Sequence, residues 1–574
     1  MSEREPHDDI GALLDHGIRC HTEGDLAGAA AAYERVLAAQ PENGDALSML
    51  GVVALQSGQA DKAVEILSEA VRVDDGHPGY HNNLGQALDA LDDVAGALDH
   101  YRKASSLAPG DPRCLNNIGL ALSRMGDLAD ALEVASSAVE ADPENAEYRH
   151  NLGSILLDMG RLEEAEAAFQ QALELNPDQA VTYASLGLVL AERGDVQEAV
   201  ECCLEATALD PFYTDGHEAC RKLLWDSGHA DEMNISYRLA CEQLPESSEA
   251  FLNLGTACLE ALHMEEAVPA LDQALSLDPD NATAYSKLGA ALVGLGRHDE
   301  AIAAHGKAIA LDDAVAAYHE ALGDAHADRK DFTKAADAYF AAYQRNPRRS
   351  SVLGSLTVAL NETADPDVDQ LVDYDRYVTT RILEPPPGFD SIEAFNDALH
   401  KELKVQHVPR PYPIGQTMRG GTQNKGHLFR GATGLVRVVQ DRIADALREY
   451  IRSLERDPDH PFLRYANENI RFTGAWSTIL SESGYDESHI HNDGWISGVY
   501  YVQTPDIDEA RWEEGEGCIQ FGRPPAAFAS ERNTARRRIR PRSGMAVFFP
   551  SYYWHGVEPF HQKGLRHSIA FDVL

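Results

Sequence analysis

The sequence predicts a multidomain protein in which an all-α array of helical repeats is followed by a mainly-β domain of the jelly-roll type. Two observations predict this division. Glycine and proline recur at a fixed period over roughly the first two-thirds of the 574 residues. Short apolar segments bounded by turn residues replace that period near the C-terminus, where histidine, arginine and aromatic residues become more frequent.

The repeats have a period of 34 residues and number about ten between residues 9 and 349. Proline recurs near the end of most repeats in the same register. Arg221 occupies the single gap in the glycine series, in a repeat at 214–247 that departs most from the pattern. The periodic glycines are Gly17, Gly51, Gly85, Gly119, Gly153, Gly187, Gly255, Gly289 and Gly323.

Residues 146–179 show why each repeat forms a pair of helices. Apolar side chains fall on one face of each predicted helix, and Gly160 permits a tight turn between them. Gly153 and Ala165 are small where the helices cross, and Pro177 ends the second helix. In length, glycine, paired alanines and proline this array resembles the tetratricopeptide repeat. The resemblance implies a superhelix whose groove binds a protein or peptide, although the array could also only space or dimerise the rest of the chain.

The period fails after Arg349, and we divide the chain there. The repeats are assigned to 9–349, a helical transition segment to 350–409, and the β domain to 410–574. Helices are predicted at 350–365, through 371–382 and at 391–403. The candidate strands of the β domain are Trp476–Ser481, Ser497–Gln503, Cys518–Phe521, Ala546–Phe549 and Ser568–Val573.

Histidines and one arginine stand at the ends of these strands. His491 and Asp493 precede one strand, His555 follows another, and Arg566 precedes the last. Iron(II) that activates oxygen needs three ligands on one face, commonly two histidines and a carboxylate. Ligands at i and i+2 of an extended chain point the same way, so one strand end can supply two of them. An arginine can then hold the carboxylate of a co-substrate through a forked pair of hydrogen bonds.

The motifs His491-x-Asp493, His555 and Arg566-x-Ser568 resemble those of the 2-oxoglutarate/iron(II) dioxygenases with a double-stranded β-helix. More narrowly, segments 419–423, 494–502, 549–556 and 566–572 are similar to a bacterial family of such oxygenases that often carries tetratricopeptide repeats. The resemblance covers 370–574. It implies Fe(II) as cofactor, 2-oxoglutarate as co-substrate, and binding of the C5 carboxylate by Arg566 and Ser568.

A tyrosine of the strand Ser497–Gln503 is expected to help bind this carboxylate. Tyr500 and Tyr501 are both candidates, but strand alternation puts only one of them inside.

The third iron ligand has two candidates. One set is the usual triad of His491, Asp493 and His555. The narrower family usually has a second histidine and no acidic residue in this motif, which gives the set His489, His491 and His555. In that set Asp493 is a turn residue, as Asn-Asp-Gly sequences favour turns.

Charge and composition exclude some functions. The net charge of -44 argues against sequence-independent binding of nucleic acid, which needs a basic surface. No run of about 18 apolar residues that could span a membrane is present, and the first residues lack the apolar stretch of a signal peptide. The scattered cysteines show no disulfide framework, so we expect a cytoplasmic protein with reduced thiols.

Six arginines stand out against this acidic background. They lie between predicted strands, so we expect a loop at the rim of the β domain that contacts an acidic substrate, docks on the repeats or is only solvated. They are Arg532, Arg536, Arg537, Arg538, Arg540 and Arg542.

Together these features predict a 2-oxoglutarate- and oxygen-dependent hydroxylase whose repeats recruit a protein or peptide. The alternative is a scaffold, in which the repeats bind a partner and a cupin-like β domain has no turnover.

Overall fold

The computed structural model of the chain describes residues 10–405, 407–409, 417–424, 427–492, 494–525, 532 and 536–574. It divides into two compact units, Met1–Pro245 and Glu246–Leu574. Among the helices of the described residues, none has both the length and the apolarity needed to cross a bilayer. The eight cysteines are all free.

The first unit consists of helices arranged as successive antiparallel pairs. The last pair is irregular, because its second helix is short and is preceded by a 3-10 turn at Ala230–Glu232. The helices are α1 (Ile10–Thr22), α2 (Leu26–Ala39), α3 (Gly44–Gln56), α4 (Ala60–Val73), α5 (Pro78–Ala90), α6 (Val94–Leu107), α7 (Pro112–Met125), α8 (Leu128–Ala141), α9 (Ala146–Asp158), α10 (Leu162–Leu175), α11 (Ala180–Arg193), α12 (Val196–Leu209), α13 (Thr214–Asp226) and α14 (Ile235–Gln243).

Small residues and amide side chains hold these pairs together. A Cβ atom added to Gly153 would lie 2.8 Å from the ring of Phe169, so the helices cross as closely as the sequence predicts. Amide groups also join one pair to the next: Asn117 Nδ2 donates to Asn82 Oδ1 over 3.0 Å. The repeat spacing therefore fixes both the contact within a pair and the contact between pairs.

The second unit begins with three more helical pairs and one further helix, α21, which lies where the sequence predicts a helix at 350–365. These helices are α15 (Ser248–Glu260), α16 (Met264–Leu277), α17 (Ala282–Gly294), α18 (His298–Leu311), α19 (Ala316–Asp328), α20 (Phe332–Arg345) and α21 (Ser350–Thr363).

Five helices and ten strands follow α21 within the second unit. The helices are α22 (Val368–Leu371), α23 (Tyr374–Tyr377), α24 (Ile392–Lys404), α25 (Gly434–Ser453) and α26 (Glu509–Glu514), with a 3-10 turn at Leu463–Tyr465. The strands are β1 (Thr379–Ile382), β2 (His407–Pro409), β3 (Met418–Asn424), β4 (Phe472–His489), β5 (Ile496–Gln503), β6 (Ile519–Phe521), β7 (Arg537–Ile539), β8 (Met545–Pro550), β9 (His555–Val557) and β10 (Arg566–Val573).

All the strand pairs are antiparallel and form one curled sheet in the order β1-β8-β5-β10-β4-β9-β6-β7, with β3 on β4 and β2 on β3. The long strand β4 links the two parts of this sheet. Its first half pairs with β10, and its end pairs with β9 through Asp486 and His489. Repeated helical pairs followed by this sheet confirm the predicted fold class, and the β4–β9 pairing brings the histidine-bearing segments together.

Two predictions about secondary structure were wrong. The helix predicted through 371–382 ends at Tyr377, and Thr379–Ile382 forms the edge strand β1 beside β8. Its β-branched residues favour an extended chain once a neighbouring strand is available. The arginine-rich segment is not all loop, because Arg537–Ile539 pairs with Ile519–Phe521. The domain limits at 349 and 409 stay predictions.

The outer face of β10 carries a second group of histidines, distinct from those of the predicted site. His567 is fully buried, and its Nδ1 lies 2.8 Å from Nδ1 of His400. Its Nε2 lies 2.7 Å from Ser477 Oγ, which in turn contacts His407. Burial, with the neighbouring His400 and His407 rings, lowers the pKa of His567 to about 3. Arg566 and Ser568, its neighbours along β10, therefore point to the opposite face.

The close helix crossing can be tested by adding one methyl group. A Cβ atom at Gly323 would lie 2.5 Å from the ring of Tyr339, whereas one at Gly306, within α18, would meet no atom within 4 Å. We expect Gly323→Ala to lower the free energy of unfolding by about 1 to 3 kcal/mol through overpacking. Gly306→Ala should instead raise it by about 0.5 to 1 kcal/mol through helix propensity. Urea titration followed by circular dichroism measures both, and equal effects would contradict the packing described for these pairs.

Candidate metal centre

Three histidines meet where β4 ends beside β9. His489 is the last residue of β4 and is directly opposite His555, the first residue of β9. His491 follows two residues after His489. One ligand atom from each ring lies within 4.8 Å of the other two. His491 and His555 are buried, while His489 is partly exposed, so solvent reaches the group from the side of His489.

The Nδ1 atom of each ring is held by an oxygen atom. His489 Nδ1 lies 2.7 Å from the carbonyl oxygen of Glu487, and His555 Nδ1 lies 2.9 Å from that of Tyr553. Since a carbonyl only accepts, both Nδ1 atoms must carry the proton and donate it. His491 Nδ1 donates in the same way to the carboxylate of Asp572 over 2.5 Å.

Protonation at Nδ1 leaves an unprotonated Nε2 on each neutral ring. The Nε2 atoms of His489 and His491 are only 3.1 Å apart. Burial lowers the pKa of His489, and burial with the neighbouring His489 and His491 rings lowers that of His555 well below its usual range. A proton is therefore disfavoured between the rings. Facing lone pairs repel one another, and a divalent cation bound by all three Nε2 atoms would remove that repulsion.

This geometry bears directly on the two predicted ligand sets. His489, His491 and His555 come together, and these are the members of the all-histidine set. Asp493, the third member of the other set, lies outside the described residues, so its position relative to the rings is not part of the comparison. His491 and His555 belong to both sets.

Asp572 is a functional residue that the sequence reasoning did not single out. Its carboxylate accepts hydrogen bonds from His491 Nδ1 and from the hydroxyl of Ser497, the latter over 2.6 Å. It is 7% exposed. A signal was present in the sequence, because Asp572 lies an even number of residues from Arg566 and Ser568 and so shares their face of β10.

Arg566 forms the second part of the site on the inner face of β10. It is 3% exposed, and its guanidinium lies over the ring of Tyr501 at 4.9 Å. One nitrogen donates to Tyr501 Oη over 3.2 Å, and another lies 3.5 Å from Ser568 Oγ. Nε of Arg566 has no hydrogen-bond partner in the part of the chain that the structure describes. A buried guanidinium among neutral groups, with one donor unused, fits a site for a carboxylate ligand.

The two candidate tyrosines lie on opposite faces of β5. Tyr501 contacts Arg566, whereas Tyr500 donates to Asn396 Oδ1 in α24 over 2.7 Å. Both are nevertheless fully buried, because helices cover the outer face of the sheet. Strand alternation thus puts one of the two tyrosines, Tyr501, beside Arg566, whereas burial alone does not distinguish them.

Helix α21 packs directly on the loops that carry the histidines. The hydroxyl of Ser350 donates to the carbonyl of Gly494 over 3.0 Å, just after His491 in the chain. Trp554 Nε1 donates to the carbonyl of Gly354 over 3.0 Å, and Trp554 directly precedes His555. The helix that follows the repeats therefore helps to position both histidine loops.

The arginine-rich segment is anchored mainly within its own unit. Arg536 donates to Asn361 Oδ1 over 2.7 Å, so this arginine contacts α21, the helix that follows the repeats. Arg540 pairs with Glu509 and lies over the ring of Trp512. Arg537 lies 3.6 Å from Asp375, and Arg538 lies 3.9 Å from Glu558.

Comparison with known protein families and structures agrees with both parts of the chain. Residues 474–572 match the model of a family described as "Putative 2OG-Fe(II) oxygenase". Tetratricopeptide-repeat models match 21–87, 116–180, 150–214, 264–296 and 287–350. No curated protein sequence matches the chain.

Several solved structures are similar over about a third of this chain. The tetratricopeptide-repeat protein TTC0263 from Thermus thermophilus has 24% identity and a TM-score of 0.30, with 32% of this chain and 99% of that one covered. MamA from Desulfovibrio magneticus RS-1 has 23% identity and a TM-score of 0.27, with 30% and 97% covered. PilF from Pseudomonas aeruginosa has 19% identity and a TM-score of 0.33, with 36% and 95% covered.

The helical pairs, the curled antiparallel sheet and the group of three histidines agree with these matches. The chain therefore combines tetratricopeptide repeats with a domain of the family described as "Putative 2OG-Fe(II) oxygenase".

Proposed function

We propose that the chain is a 2-oxoglutarate- and oxygen-dependent iron(II) hydroxylase whose repeats recruit a protein or peptide. The observation that carries the proposal is the convergence of three Nε2 lone pairs. Each ring is held in this orientation by a hydrogen bond from its Nδ1 atom to an oxygen atom. The family match at 474–572 supports the same reading.

His489, His491 and His555 are the residues that would hold iron(II). They approach from one side, through the end of β4 and the start of β9, so their arrangement leaves coordination positions for other ligands. Asp572 fixes the orientation of the His491 ring and makes its Nε2 a better donor. The set with Asp493 in place of His489 is the alternative.

Arg566, Ser568 and Tyr501 would bind the C5 carboxylate of 2-oxoglutarate. Arg566 supplies a positive charge and a free Nε–H, and the hydroxyls of Ser568 and Tyr501 supply further donors. Burial disfavours ionisation of Tyr501, and Arg566 only partly offsets this, so the pKa of Tyr501 is raised and its hydroxyl stays a donor. The site is closed to water at this end because all three residues are buried.

When bound, iron(II) and 2-oxoglutarate supply the oxidative chemistry, in which oxygen converts 2-oxoglutarate to succinate and carbon dioxide and donates one oxygen atom to the substrate. The protein residues orient these groups. Neutral imidazoles give nitrogen donors without adding negative charge, and the buried arginine fixes one end of the co-substrate.

Turnover separates the hydroxylase from the scaffold alternative. With iron(II), 2-oxoglutarate and air, we expect the chain to form succinate, since such sites release some succinate even when the substrate to be hydroxylated is absent. His555→Ala should lose this activity and bind iron(II) more than about tenfold more weakly, since a ligand is removed. Succinate is measured by mass spectrometry, and iron by a colorimetric assay after gel filtration.

His305→Ala is the matched control, because His305 is a buried histidine in the repeats and contacts neither part of the site. It should retain both iron and succinate formation. If the unchanged chain binds no iron(II) and forms no succinate, the scaffold reading replaces the hydroxylase.

The role of Arg566 predicts a different kinetic change. Arg566→Lys keeps the charge but loses the fork, so the KM for 2-oxoglutarate should rise about tenfold to a hundredfold, as expected for lost charge-assisted hydrogen bonds. Tyr501→Phe removes one hydroxyl and should raise the KM for 2-oxoglutarate only a few-fold.

Iron binding should be unchanged in both variants, because neither residue is among the proposed iron ligands. An unchanged KM for Arg566→Lys, measured as succinate formed against 2-oxoglutarate concentration, would rule out this assignment of Arg566.

A further inference from the structure

A groove in the second unit lies between the last repeat helices and the β domain, away from the candidate metal centre. It has a volume of about 600 Å³. We call it the junction groove. Its walls come from α20, α21, the turn that contains α22, and the loop 457–461. The residues that line it and are used below are Asp337, Phe340, Leu353, Leu356, Leu360, Asp365, Asp367, Leu371, Asp457 and Asp459.

The floor of the junction groove is apolar. Leu353, Leu356 and Leu371 are buried beneath it, and Leu360 is partly exposed. Phe340 stands at its edge with 52% of its surface exposed. An aromatic or aliphatic side chain placed on this floor would remove apolar surface from water on both partners.

The rim of the junction groove is acidic. Five carboxylates surround the floor, and no lysine or arginine is among the residues that line it. None of the five forms an ion pair with a described residue. His460 does not offset the charge either, because its Nδ1 accepts from the backbone of Phe462 and its Nε2 donates to the carbonyl of Gln370. Arg464 interacts electrostatically with Asp459 without forming an ion pair with it, and the five carboxylates leave an excess of negative charge around an apolar surface.

We propose that the junction groove binds a peptide segment of a partner protein in which an aromatic or aliphatic side chain is flanked by lysine or arginine. The apolar side chain occupies the floor, and the cations contact the rim carboxylates. This proposal rests on the proposed function, in which the chain recruits a protein or peptide. It adds the surface that binds this partner and the chemistry of the partner segment.

Charge also decides against a second copy of this chain as the occupant. With a net charge of -44, another copy brings mostly carboxylates to the rim. Its arginine-rich segment is already engaged, since Arg537, Arg538 and Arg540 pair with acidic residues of their own domain and Arg536 with Asn361.

The position of the junction groove suits a partner that is delivered to the metal centre. Leu353 lines the groove, while the next residue, Gly354, accepts a hydrogen bond from Trp554 beside His555. The carbonyl of Leu371, another lining residue, accepts a hydrogen bond from Tyr552 over 2.7 Å. A peptide in the groove therefore contacts the elements that support the His555 loop.

Fluorescence anisotropy with labelled synthetic peptides tests the proposal on the whole chain, without iron or 2-oxoglutarate. The probe alternates lysine with leucine and phenylalanine. One matched peptide has glutamate for lysine, and another has serine for the apolar residues. We expect the probe to bind and both matched peptides to bind at least about tenfold more weakly, as both kinds of contact are needed.

Substitutions then locate the binding. The double variant Asp457→Asn/Asp459→Asn removes two rim charges and keeps an oxygen for the turn that Asp457 makes with the Asp459 backbone. Phe340→Ala removes the edge of the floor. Each should weaken binding of the probe about fivefold to tenfold.

The controls are Asp272→Asn/Asp280→Asn and Leu311→Ala, which change exposed acidic and apolar residues that do not line the groove. They should leave binding within about twofold. Equal weakening by rim and control charges would overturn the proposal, because it would mean general attraction to an acidic chain.

Two further outcomes would also overturn it. One is a probe that binds no better than its matched peptides. The other is a dimer, detected by sedimentation, that dissociates in the groove variants but not in the control variants. The occupant of the groove would then be a second copy of this chain. The Phe340→Ala variant should form succinate in the absence of substrate at the same rate as the unchanged chain. Peptide binding therefore tests the groove proposal, and succinate formation separately tests the hydroxylase proposal.

Discussion

The candidate metal centre depends on the placement of three imidazole rings whose lone pairs face one another. Such a group is unfavourable by itself, because the lone pairs repel and the rings are desolvated. Oxygen atoms of Glu487, Tyr553 and Asp572 hold the three rings in this orientation. Two of these acceptors are backbone carbonyls within two residues of the histidine they bind, so the local chain conformation itself sets the tautomer. The third comes from the last strand, which also carries Arg566.

The rest of the sheet and α21 supply the rigidity that this arrangement requires. Pairing of β4 with β10 and β9 joins the face that carries Arg566 and Ser568 to the histidine group through one continuous strand. Helix α21 then closes the histidine loops from outside through Ser350 and Gly354. Because α21 also forms a wall of the junction groove, the same helix contacts the proposed partner site and the loops of the candidate metal centre. This shared helix gives a physical reason for joining repeats to a β domain in one chain.

The sequence revealed features that depend on local pattern and missed those that depend on long-range pairing. The 34-residue period predicts the helical pairs, because the residues at the close crossings are small in every repeat except the one that carries Arg221. Alternation along β10 puts Arg566 and Ser568 on one face, and alternation along β5 lets only one of Tyr500 and Tyr501 lie beside them, which is Tyr501 in the structure. In contrast, β1 and β9 are short strands that exist only because a neighbour is available for pairing. The partnership between Asp572 and His491 spans 81 residues, so no local pattern could reveal it.

The identity of the third ligand tests the central claim most directly. Anaerobic titration with iron(II) of the unchanged chain, His489→Ala and Asp493→Ala measures the affinity of each for the metal. If three imidazoles hold the metal, His489→Ala should bind iron(II) more than about tenfold more weakly, while Asp493→Ala binds like the unchanged chain. Loss of binding in Asp493→Ala together with normal binding in His489→Ala would contradict the account, because the facing lone pair of His489 would then have no metal to bind.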